Sequence, residues 1–438
     1  MISKLMKRFQ GAQPLTQASK SAMSVVNSNQ HYLEMESKYV CNNYLPLPIV
    51  ADRGERIYIW DVEGNKYYDF LCGYSSTNQG HCHPKIVKAL VDQASKITQT
   101  SRAFCNPEMP AFSKYITELL GYEKFLPSST GVEACESACK LARRWGYVVK
   151  KVEKDKASIL MANGCFWGRS ITACSGSDDF IRYNNFGPLT PGFPLVDFND
   201  LEGIENYLKS DPNCVGVMLE PIQGEGGVII PQEGYLSKVK QLCKKYNVLL
   251  ITDEVQTGLG RTGKLMGYNH DLGDDRPDIV TLGKAISGGV TPVSGILAKA
   301  EVMDTIKAGD HGSTYGGNPL GMAVAKAAVS AIVEEGMVEN SEAMGKIFAQ
   351  RLSNIDSDLV KEVRSRGLFC GLEFKHDLNV DGNHFAKVLM KNGLITKATH
   401  KYCVRFAPAL VINEEEVHAA ADIIEKSMVE LEEMNSKM

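Results

Sequence analysis

Residues 248–256 read VLLITDEVQ, an apolar, β-prone run that passes directly into two acidic residues. Residues 277–284 read PDIVTLGK, a second run of this kind, which ends on a glycine and a lysine. Short, continuous apolar runs are typical of strands that are buried on both faces of a parallel sheet. Ligands of such sheets bind at the carboxyl ends of the strands. The two runs therefore predict that Asp253 and Lys284 meet at one ligand-binding edge.

A lysine and an aspartate at that edge suit one cofactor in particular. A lysine amine can bond to a carbonyl-bearing cofactor, and a buried aspartate can hold a protonated pyridine nitrogen. Pyridoxal 5′-phosphate requires this pairing. We therefore predict this cofactor, with Lys284 and Asp253 as the catalytic residues.

Length and composition limit the class of protein. The chain of 438 residues is longer than one typical domain, and its 44% hydrophobic and 23% charged content is ordinary for a globular protein. The net charge of −4 argues against a nucleic-acid or anionic-membrane partner. No apolar run approaches the roughly 20 residues of a membrane-spanning helix. The 12 cysteines form no C-x-x-C pair, which favours a reducing intracellular compartment.

The amino-terminal region has the composition of a targeting segment. Residues 1–33 contain no Asp or Glu but include four basic residues, and the first apolar residues fall on one helical face. We expect residues 1–30 to be a mitochondrial transit peptide, which would send the protein to the mitochondrial matrix. The alternative is a basic tail on a cytoplasmic enzyme.

Strand-like runs alternate with helix-like runs from about residue 57 to 320, which predicts an α/β fold with a mostly parallel sheet between helices. The region begins with a β-hairpin whose first strand is 57–61 and whose turn is 63–65. The other predicted strands lie at 125–127, 157–161, 215–219, 248–252, 278–282 and 293–297.

The pattern changes after residue 319 to that of a small α+β domain. A helix is predicted to about residue 335, strands at 368–374 and 403–406, and a last helix that Asn413 and Glu416 begin as a capping box. The predicted domains are an amino-terminal segment at 31–60, a large cofactor-binding domain at 61–320 and a small domain at 321–438.

Residues 129–134, STGVEA, follow a short strand and begin a helix. Thr130 can cap that helix, with Glu133 at its third position. Free backbone N–H groups at a helix start, next to a glycine that permits close approach, make a phosphate cradle. Beside Lys284 and Asp253, this stretch predicts the phosphate site of the cofactor.

Two further loops follow predicted strands. Residues 163–169, NGCFWGR, suit a ring-stacking shelf with a carboxylate clamp, although two core aromatics beside a surface arginine explain the pattern equally well. Residues 220–227, EPIQGEGG, contain two glutamates, of which one is expected to support the loop while the other could face the site.

Histidine and cysteine spacings invite other interpretations. His81 and His83 are two residues apart, and no Cys/His cluster elsewhere matches a zinc pattern, so a turn before a helix is favoured over a metal site. Cys135 and Cys139 lie one helical turn apart, with Cys165 in the 163–169 loop. Small buried residues are the favoured interpretation of these cysteines, and a redox-sensing pair is the alternative.

Together these blocks resemble the class III aminotransferases, which are fold-type I pyridoxal-phosphate enzymes. The resemblance covers residues 35–435 and implies a large domain around a mixed seven-stranded sheet, active as a homodimer or a higher oligomer. The stretches that carry it are NYLPLP (43–48), NQGHCHPKI (78–86), TSRAF (100–104), EPIQGE (220–225), QTGLGRTG (256–263) and HGSTYGGNP (311–319).

The resemblance also assigns cofactor contacts. Lys284 would hold the cofactor covalently and carry the proton that moves during transfer, and Gln256 would touch the phenolic oxygen of the ring. Thr314 would reach the phosphate from the other subunit. The cofactor-binding residues implied in this way are Gly131, Val132, Phe166, Asp253, Gln256, Lys284, Ser313 and Thr314.

Within this family, the chain most resembles members that move the δ-amino group of ornithine to 2-oxoglutarate. Such an enzyme must accept a carboxylate beside the reacting carbon from glutamate but not from ornithine. The resemblance implies that Glu225 pairs with Arg405 in the ornithine half-reaction and leaves it in the glutamate half-reaction. Arg169 would bind the distal carboxylate with help from Tyr44, and Tyr74 would contact the α-amino group of ornithine.

Some features leave alternatives open. An acetylornithine or 4-aminobutyrate aminotransferase is the nearest rival, which Tyr44 and Tyr74 speak against. A pyridoxal-phosphate aminomutase or decarboxylase is a rival from another reaction class, which the switch between Glu225 and Arg405 disfavours. The expected partners are small amino-acid and 2-oxo-acid substrates, with no nucleic acid, membrane or metal. Four positions depart from the family pattern without removing a catalytic group: Cys41, Gly73, Gly226 and Thr291.

Overall fold

The computed structural model describes residues 28–437, so most of the predicted 1–30 extension lies outside the described residues. Within them, the chain divides into two compact units. The first comprises residues 28–54 and 58–67, and the second comprises residues 55–57 and 68–437. The domain boundaries proposed from the sequence at residues 60 and 320 stay predictions.

The first unit contains a helix and the predicted β-hairpin, which is confirmed. Its elements are α1 (Asn29–Tyr39), β1 (Ala51–Glu55), β2 (Tyr58–Asp61) and β3 (Lys66–Asp69), although Glu55 and the last two residues of β3 already belong to the second unit. Asp61 fixes the hairpin turn, because its carboxylate accepts hydrogen bonds from the N–H groups of Glu63 and Asn65. Asn29 joins α1 to the hairpin by donating to Asp61 and accepting from the N–H of Val50.

The second unit begins with a run of alternating helices and strands, as the sequence predicts. These elements are α2 (Pro84–Ala94), α3 (Glu108–Leu120), β4 (Lys124–Ser128), α4 (Gly131–Trp145), β5 (Ser158–Ala162), α5 (Ile171–Ser175), α6 (Phe180–Tyr183), β6 (Leu195–Val196), α7 (Leu201–Ser210), β7 (Cys214–Leu219), α8 (Tyr235–Lys245), β8 (Leu249–Asp253), α9 (Asn269–Leu272), β9 (Ile279–Leu282), β10 (Ser294–Ala298) and α10 (Ala300–Met303).

A seven-stranded sheet of order β4-β10-β9-β8-β7-β5-β6 forms the centre of this unit. Strands β9, β8, β7, β5 and β6 pair in parallel, and β10 runs antiparallel to both β4 and β9. Every residue of β5, β7, β8, β9 and β10 is buried, which is why these strands read as continuous apolar runs. The prediction of a mostly parallel, mixed seven-stranded sheet is therefore confirmed.

The rest of the second unit carries a smaller antiparallel sheet. Its elements are α11 (Pro319–Glu334), α12 (Met337–Ser353), β11 (Val360–Arg366), β12 (Phe369–Phe374), α13 (Gly382–Lys391), β13 (Leu394–Ile395), β14 (Lys397–Thr399), β15 (Cys403–Phe406) and α14 (Glu414–Lys437). The small sheet has the order β11-β12-β15-β14, and β13 pairs in parallel with the end of β3 at Tyr68 and Asp69. The capping box of the last helix is confirmed, because Asn413 and Glu416 exchange backbone-to-side-chain hydrogen bonds of 2.9 and 2.8 Å.

One buried arginine joins the loop after β8 to the small sheet. Arg261 is fully buried, and its guanidinium donates to the backbone carbonyls of Leu368 at 2.9 Å and Pro408 at 2.6 Å and to the side chain of Asn78. These acceptors offset part of the cost of burying the cation. The contacts fix the chain around β15, which carries Arg405, against the edge of the large sheet.

Among residues 28–437, the structure contains no helix that is both long enough and apolar enough to cross a membrane.

Candidate active site

The carboxyl ends of β7, β8 and β9 and the amino terminus of α4 meet around a cavity of about 160 Å³. This is the edge at which the sequence predicts ligand binding. The residues that line the cavity are Gly131, Val132, Phe166, Trp167, Gly168, Glu220, Asp253, Val255, Gln256 and Lys284.

Lys284 begins a short 3-10 turn directly after β9 and Gly283. Its backbone is left-handed, with φ at 46°, and such strain in a non-glycine residue is concentrated at functional sites. Burial lowers the pKa of the Lys284 amine, and the charge of Arg405 acts in the same direction, while Glu225 opposes it. A lowered pKa increases the neutral, nucleophilic fraction of the amine.

Asp253 is the last residue of β8 and is only 4% exposed. Burial raises its pKa, and three donors act against burial by stabilising the carboxylate. Oδ1 accepts from the N–H of Val255 at 3.0 Å and from the hydroxyl of Thr281 at 2.9 Å, and Oδ2 accepts from the thiol of Cys135 at 3.4 Å. A fixed, hydrogen-bonded carboxylate therefore faces the cavity from its floor.

The start of α4 has the geometry of the predicted cradle. The carboxylate of Glu133 accepts from the backbone N–H of Thr130 at 2.7 Å, as the capping box requires. The N–H groups of Gly131 and Val132, in the first turn, have no acceptor within the helix and line the cavity. A Cβ atom added to Gly131 would lie 2.9 Å from a methyl group of Val255, so the close approach depends on glycine.

Phe166 lines the cavity, and two arginines, Arg169 and Arg182, lie over its ring. Arg182 is only 9% exposed, and its guanidinium carbon lies 4.7 Å from the ring centroid, against 5.6 Å for the exposed Arg169. Sequence reasoning missed Arg182, because it lies in the four-residue helix α6, which carries no motif to single it out. The carboxylate of Glu220 accepts from the N–H of Phe166 at 2.9 Å and of Gly224 at 3.1 Å, which makes it the glutamate that supports the loop.

The other glutamate of that loop forms an ion pair. The guanidinium of Arg405 on β15 donates to Glu225 Oε1 at 2.8 Å, and Arg405 is only 2% exposed. Burial would raise the pKa of Glu225, but the charges of Arg405 and Lys284 hold that pKa below its usual value. Arg405 also donates to the side-chain oxygen of Gln256 at 3.4 Å, so the pair lies beside the cavity wall.

Tyr74 approaches this pair from an unusual turn. Residues 72–75 all have positive φ, between 53° and 70°, and so form a left-handed turn. The ring centroid of Tyr74 lies 5.5 Å from the guanidinium carbon of Arg405, and its carbonyl accepts from Gln256 Nε2 at 3.3 Å. A Cβ atom on Gly73 would lie 2.4 Å from the hydroxyl oxygen of Ser76, which explains why glycine suits that position.

Seven of the predicted residues are outside the cavity lining. Tyr74, Arg169, Glu225 and Arg405 make the contacts described above, and the other three are Ser313, Thr314 and Tyr44. Ser313 and Thr314 lie in the loop before α11, where Gln99 donates to the carbonyl of Thr314 at 3.0 Å. Tyr44 belongs to the first unit and is 62% exposed. The roles of all three stay predictions.

The histidines and cysteines that stand out by their spacing have structural contacts. His81 pairs with Asp69 at 2.7 Å, and His83, just before α2, lies 3.1 Å from Glu335. Within residues 28–437, no group of three or more His, Cys, Asp or Glu side chains is placed to hold a metal ion. All 12 cysteines lie in this part of the chain as free thiols, and Cys135, Cys139 and Cys165 are buried.

The cavity fits pyridoxal phosphate. It combines an amine with a lowered pKa, a buried carboxylate, an aromatic ring and a helix amino terminus whose first glycine leaves room for a phosphate. These groups match the aldehyde, the ring nitrogen, the ring face and the phosphate of the cofactor.

Comparison with known proteins agrees with this fit. Residues 39–428 match the family model for class-III aminotransferases. A probable mitochondrial ornithine aminotransferase from Caenorhabditis elegans is 50% identical over 408 residues, which are 93% of this chain and 96% of that protein.

Two solved structures share the fold over most of the chain. The ornithine aminotransferase of Toxoplasma gondii, whose active site holds the cofactor at partial occupancy, has a TM-score of 0.92 and 43% identity, covering 97% of this chain and 100% of that one. An acetylornithine aminotransferase from Elizabethkingia anophelis has a TM-score of 0.84 and 44% identity, covering 92% and 99%. From the family model, the relatives and the cavity together, we conclude that the protein belongs to the class-III aminotransferases, which depend on pyridoxal phosphate.

Proposed function

We propose that this aminotransferase moves the δ-amino group of L-ornithine to 2-oxoglutarate. The products are glutamate and glutamate 5-semialdehyde, which cyclises to pyrroline-5-carboxylate. The observation that carries the proposal is the 2.8 Å ion pair between Glu225 and the buried Arg405. While it is paired with Glu225, the guanidinium of Arg405 can face a substrate that has no carboxylate near the reacting carbon. When Glu225 leaves, the same guanidinium can bind a substrate carboxylate.

The residues of the chain divide the chemistry between them. When bound, the cofactor supplies an electron sink that stabilises the charge left after a substrate C–H bond loses its proton. Nζ of Lys284 would accept that proton and return it, and burial, which lowers the pKa of this amine, makes its neutral form more available as a base. The carboxylate of Asp253 would keep the ring nitrogen protonated, and Phe166 would pack against the ring face.

Substrate positioning falls to the arginines and to Tyr74. Arg405 would bind the α-carboxylate of glutamate or 2-oxoglutarate once Glu225 has left it, because a bidentate guanidinium matches a carboxylate. Arg169 would bind the distal carboxylate. Tyr74, next to Arg405, would contact the α-amino group of ornithine.

A side-by-side assay tests the substrate. With 2-oxoglutarate as acceptor, kcat/KM for ornithine should exceed that for N-acetylornithine and for 4-aminobutyrate, since both competitors lack the free α-amino group that Tyr74 would contact. If either competitor is the best donor, the ornithine proposal is wrong, although the protein would remain an aminotransferase.

The active unit is proposed to be a homodimer. Thr314 is exposed and lies outside the cavity of its own chain, on a loop held by Gln99. Phe104, five residues after Gln99, and Tyr315, directly after Thr314, are large aromatics that are 74% and 64% exposed. Exposed apolar patches of this kind mark interaction surfaces, so a second copy would cover them and receive Thr314 at its phosphate site.

Thr314→Ala should weaken binding of pyridoxal phosphate by about tenfold, because it removes a hydrogen bond to a charged phosphate. Titration of the apoenzyme by absorbance measures this. Thr117→Ala is the control, since the Thr117 hydroxyl donates only to carbonyls of its own helix. A fully active monomer in sedimentation under assay conditions would contradict the dimer.

We also propose import into the mitochondrial matrix, which the composition of residues 1–30 and the mitochondrial relative support. Deleting residues 1–27 should abolish import into isolated mitochondria and leave the activity and the melting temperature of the purified enzyme unchanged. Import that survives the deletion would reject the proposal.

A further inference from the structure

The cofactor-facing carboxylate is held by side chains from two neighbouring elements. Thr281 lies directly opposite Asp253 in the register of β9 on β8, and its hydroxyl donates to Oδ1 at 2.9 Å. Cys135, one turn into α4, donates its thiol to Oδ2 at 3.4 Å. Thr281 and Cys135 are both fully buried, so water does not compete for these donors.

These two donors join the elements that hold the cofactor. Thr281 precedes Lys284 on the same strand end, and Cys135 follows the cradle at Gly131 on the same helix. We propose that Thr281 and Cys135 are positioning residues, which keep Asp253 ionised and fixed in orientation so that it can hold the protonated ring nitrogen of the cofactor. The proposal rests on the assignment of Asp253 to that nitrogen.

The physical need for such donors follows from burial. A carboxylate with no access to water tends to take up a proton, because the charged form loses its hydration. A protonated Asp253 could not pair with a pyridinium. Each donor that stabilises the carboxylate lowers the pKa of Asp253 and therefore extends the ionised range toward acid, and the peptide N–H of Val255 supplies only one such bond.

Cys135 suits this role as a thiol rather than a thiolate. Burial raises its pKa well above the usual value, and the nearby charge of Asp253 raises it further. The thiol therefore keeps the proton that it donates. This contact gives the cysteine a function that its spacing from Cys139 alone does not indicate.

Other titratable groups face Asp253 and are common to every variant below, so differences between variants isolate the two donors. These groups are Lys284, Glu220, Glu254, Cys139 and Cys165.

The test compares apoenzyme binding of pyridoxal phosphate with binding of its 1-deaza analogue, which has carbon in place of the ring nitrogen. The dissociation constant of the analogue divided by that of pyridoxal phosphate measures the part of the affinity that depends on Asp253. Both constants are measured from pH 8 to pH 6. In the wild type, pyridoxal phosphate should bind more tightly than the analogue at every pH at which Asp253 is ionised.

Thr281→Val removes the hydroxyl and keeps the shape. Loss of the hydroxyl raises the pKa of Asp253. As the pH is lowered, the variant should therefore lose its preference for pyridoxal phosphate at a higher pH than the wild type does. Near the acidic end of this range the ratio should fall about tenfold, the effect of one hydrogen bond to a charged group. Thr281→Ser should restore the wild-type profile, and Cys135→Ala should give a smaller shift because a thiol is a weaker donor.

Thr252→Val is the matched control. Thr252 is fully buried beside Asp253 on β8, and its hydroxyl makes no hydrogen bond with any described residue. This variant should leave the ratio unchanged, although it carries the same substitution in the same sheet.

The outcomes separate two failures. If the wild type binds both compounds equally, Asp253 does not hold the ring nitrogen, and both the assignment and the inference fail. If the wild type prefers pyridoxal phosphate but Thr281→Val weakens both compounds equally at every pH, Thr281 is only structural and the inference alone is wrong.

Discussion

Lys284→Ala should remove almost all turnover while leaving the fold intact. In the proposed mechanism, the substitution deletes both the covalent anchor of the cofactor and the amine that moves the proton. Loss of a positioned acid–base group alone lowers rates by roughly 10²- to 10⁴-fold, and the missing anchor adds to this. The backbone at Lys284 has a φ of 46°, and alanine retains the Cβ atom, so the substitution does not change the strain there.

Steady-state assay with ornithine and 2-oxoglutarate measures the loss, and the melting temperature reports on folding. Lys326→Ala is the control, because this lysine is exposed on α11 and should be dispensable. Borohydride reduction of the wild type should attach the cofactor to residue 284, as peptide mass mapping would reveal. A reduced cofactor found on another lysine would show that the site is misassigned.

Glu225→Ala should change which amino donor the enzyme prefers. Without Glu225, Arg405 is left as a cation with no carboxylate partner that is only 2% exposed, and in the proposed site it would face ornithine, which brings no carboxylate to that end. The ornithine half-reaction should therefore slow, while the glutamate half-reaction is spared or accelerated. Loss of one charge-assisted hydrogen bond is worth roughly 1.5–3 kcal/mol, so the selectivity ratio should move by about ten- to a hundredfold toward ordinary α-amino acids.

Single-turnover spectra with each donor separate the two half-reactions. Glu225→Gln keeps the shape without the charge and should show the same trend, whereas Glu233→Ala, an exposed carboxylate farther along the loop, should show none. Equal slowing of both half-reactions in Glu225→Ala would mean that Glu225 only supports the loop, and the switch would be rejected.

Sequence patterns predict the large sheet well because its strands are buried on both faces. The six runs predicted between residues 125 and 297 all became strands of the seven-stranded sheet, within a residue or two of their expected ends. The strands that were missed lack this signal. Strand β6 spans only Leu195–Val196, which is too short to show a period. Strand β11 reads VKEVRSR and has no buried residue, so its polar sequence does not look like a strand, and pairing with β12 is what forms it.

The candidate site was predictable where chemistry and local motif coincide. Lys284, Asp253 and the start of α4 are each marked by a strand end or a capping box, and the structure brings them to one cavity. Arg182, Thr281 and Cys135 carry no such mark. Their proximity to Phe166 and Asp253 arises from sheet register and from packing between distant segments, which no local pattern encodes.

The closed pair of Glu225 and Arg405 has a consequence for inhibition. A carboxylate built into the chain behaves as a tethered ligand, present at an effective concentration that is commonly millimolar or higher. A free monocarboxylate such as acetate must outcompete it from solution with a single contact, so millimolar acetate should inhibit poorly. A dicarboxylate that also engages a second cation gains two contacts at once, so the pair would favour acceptors of a particular length and charge.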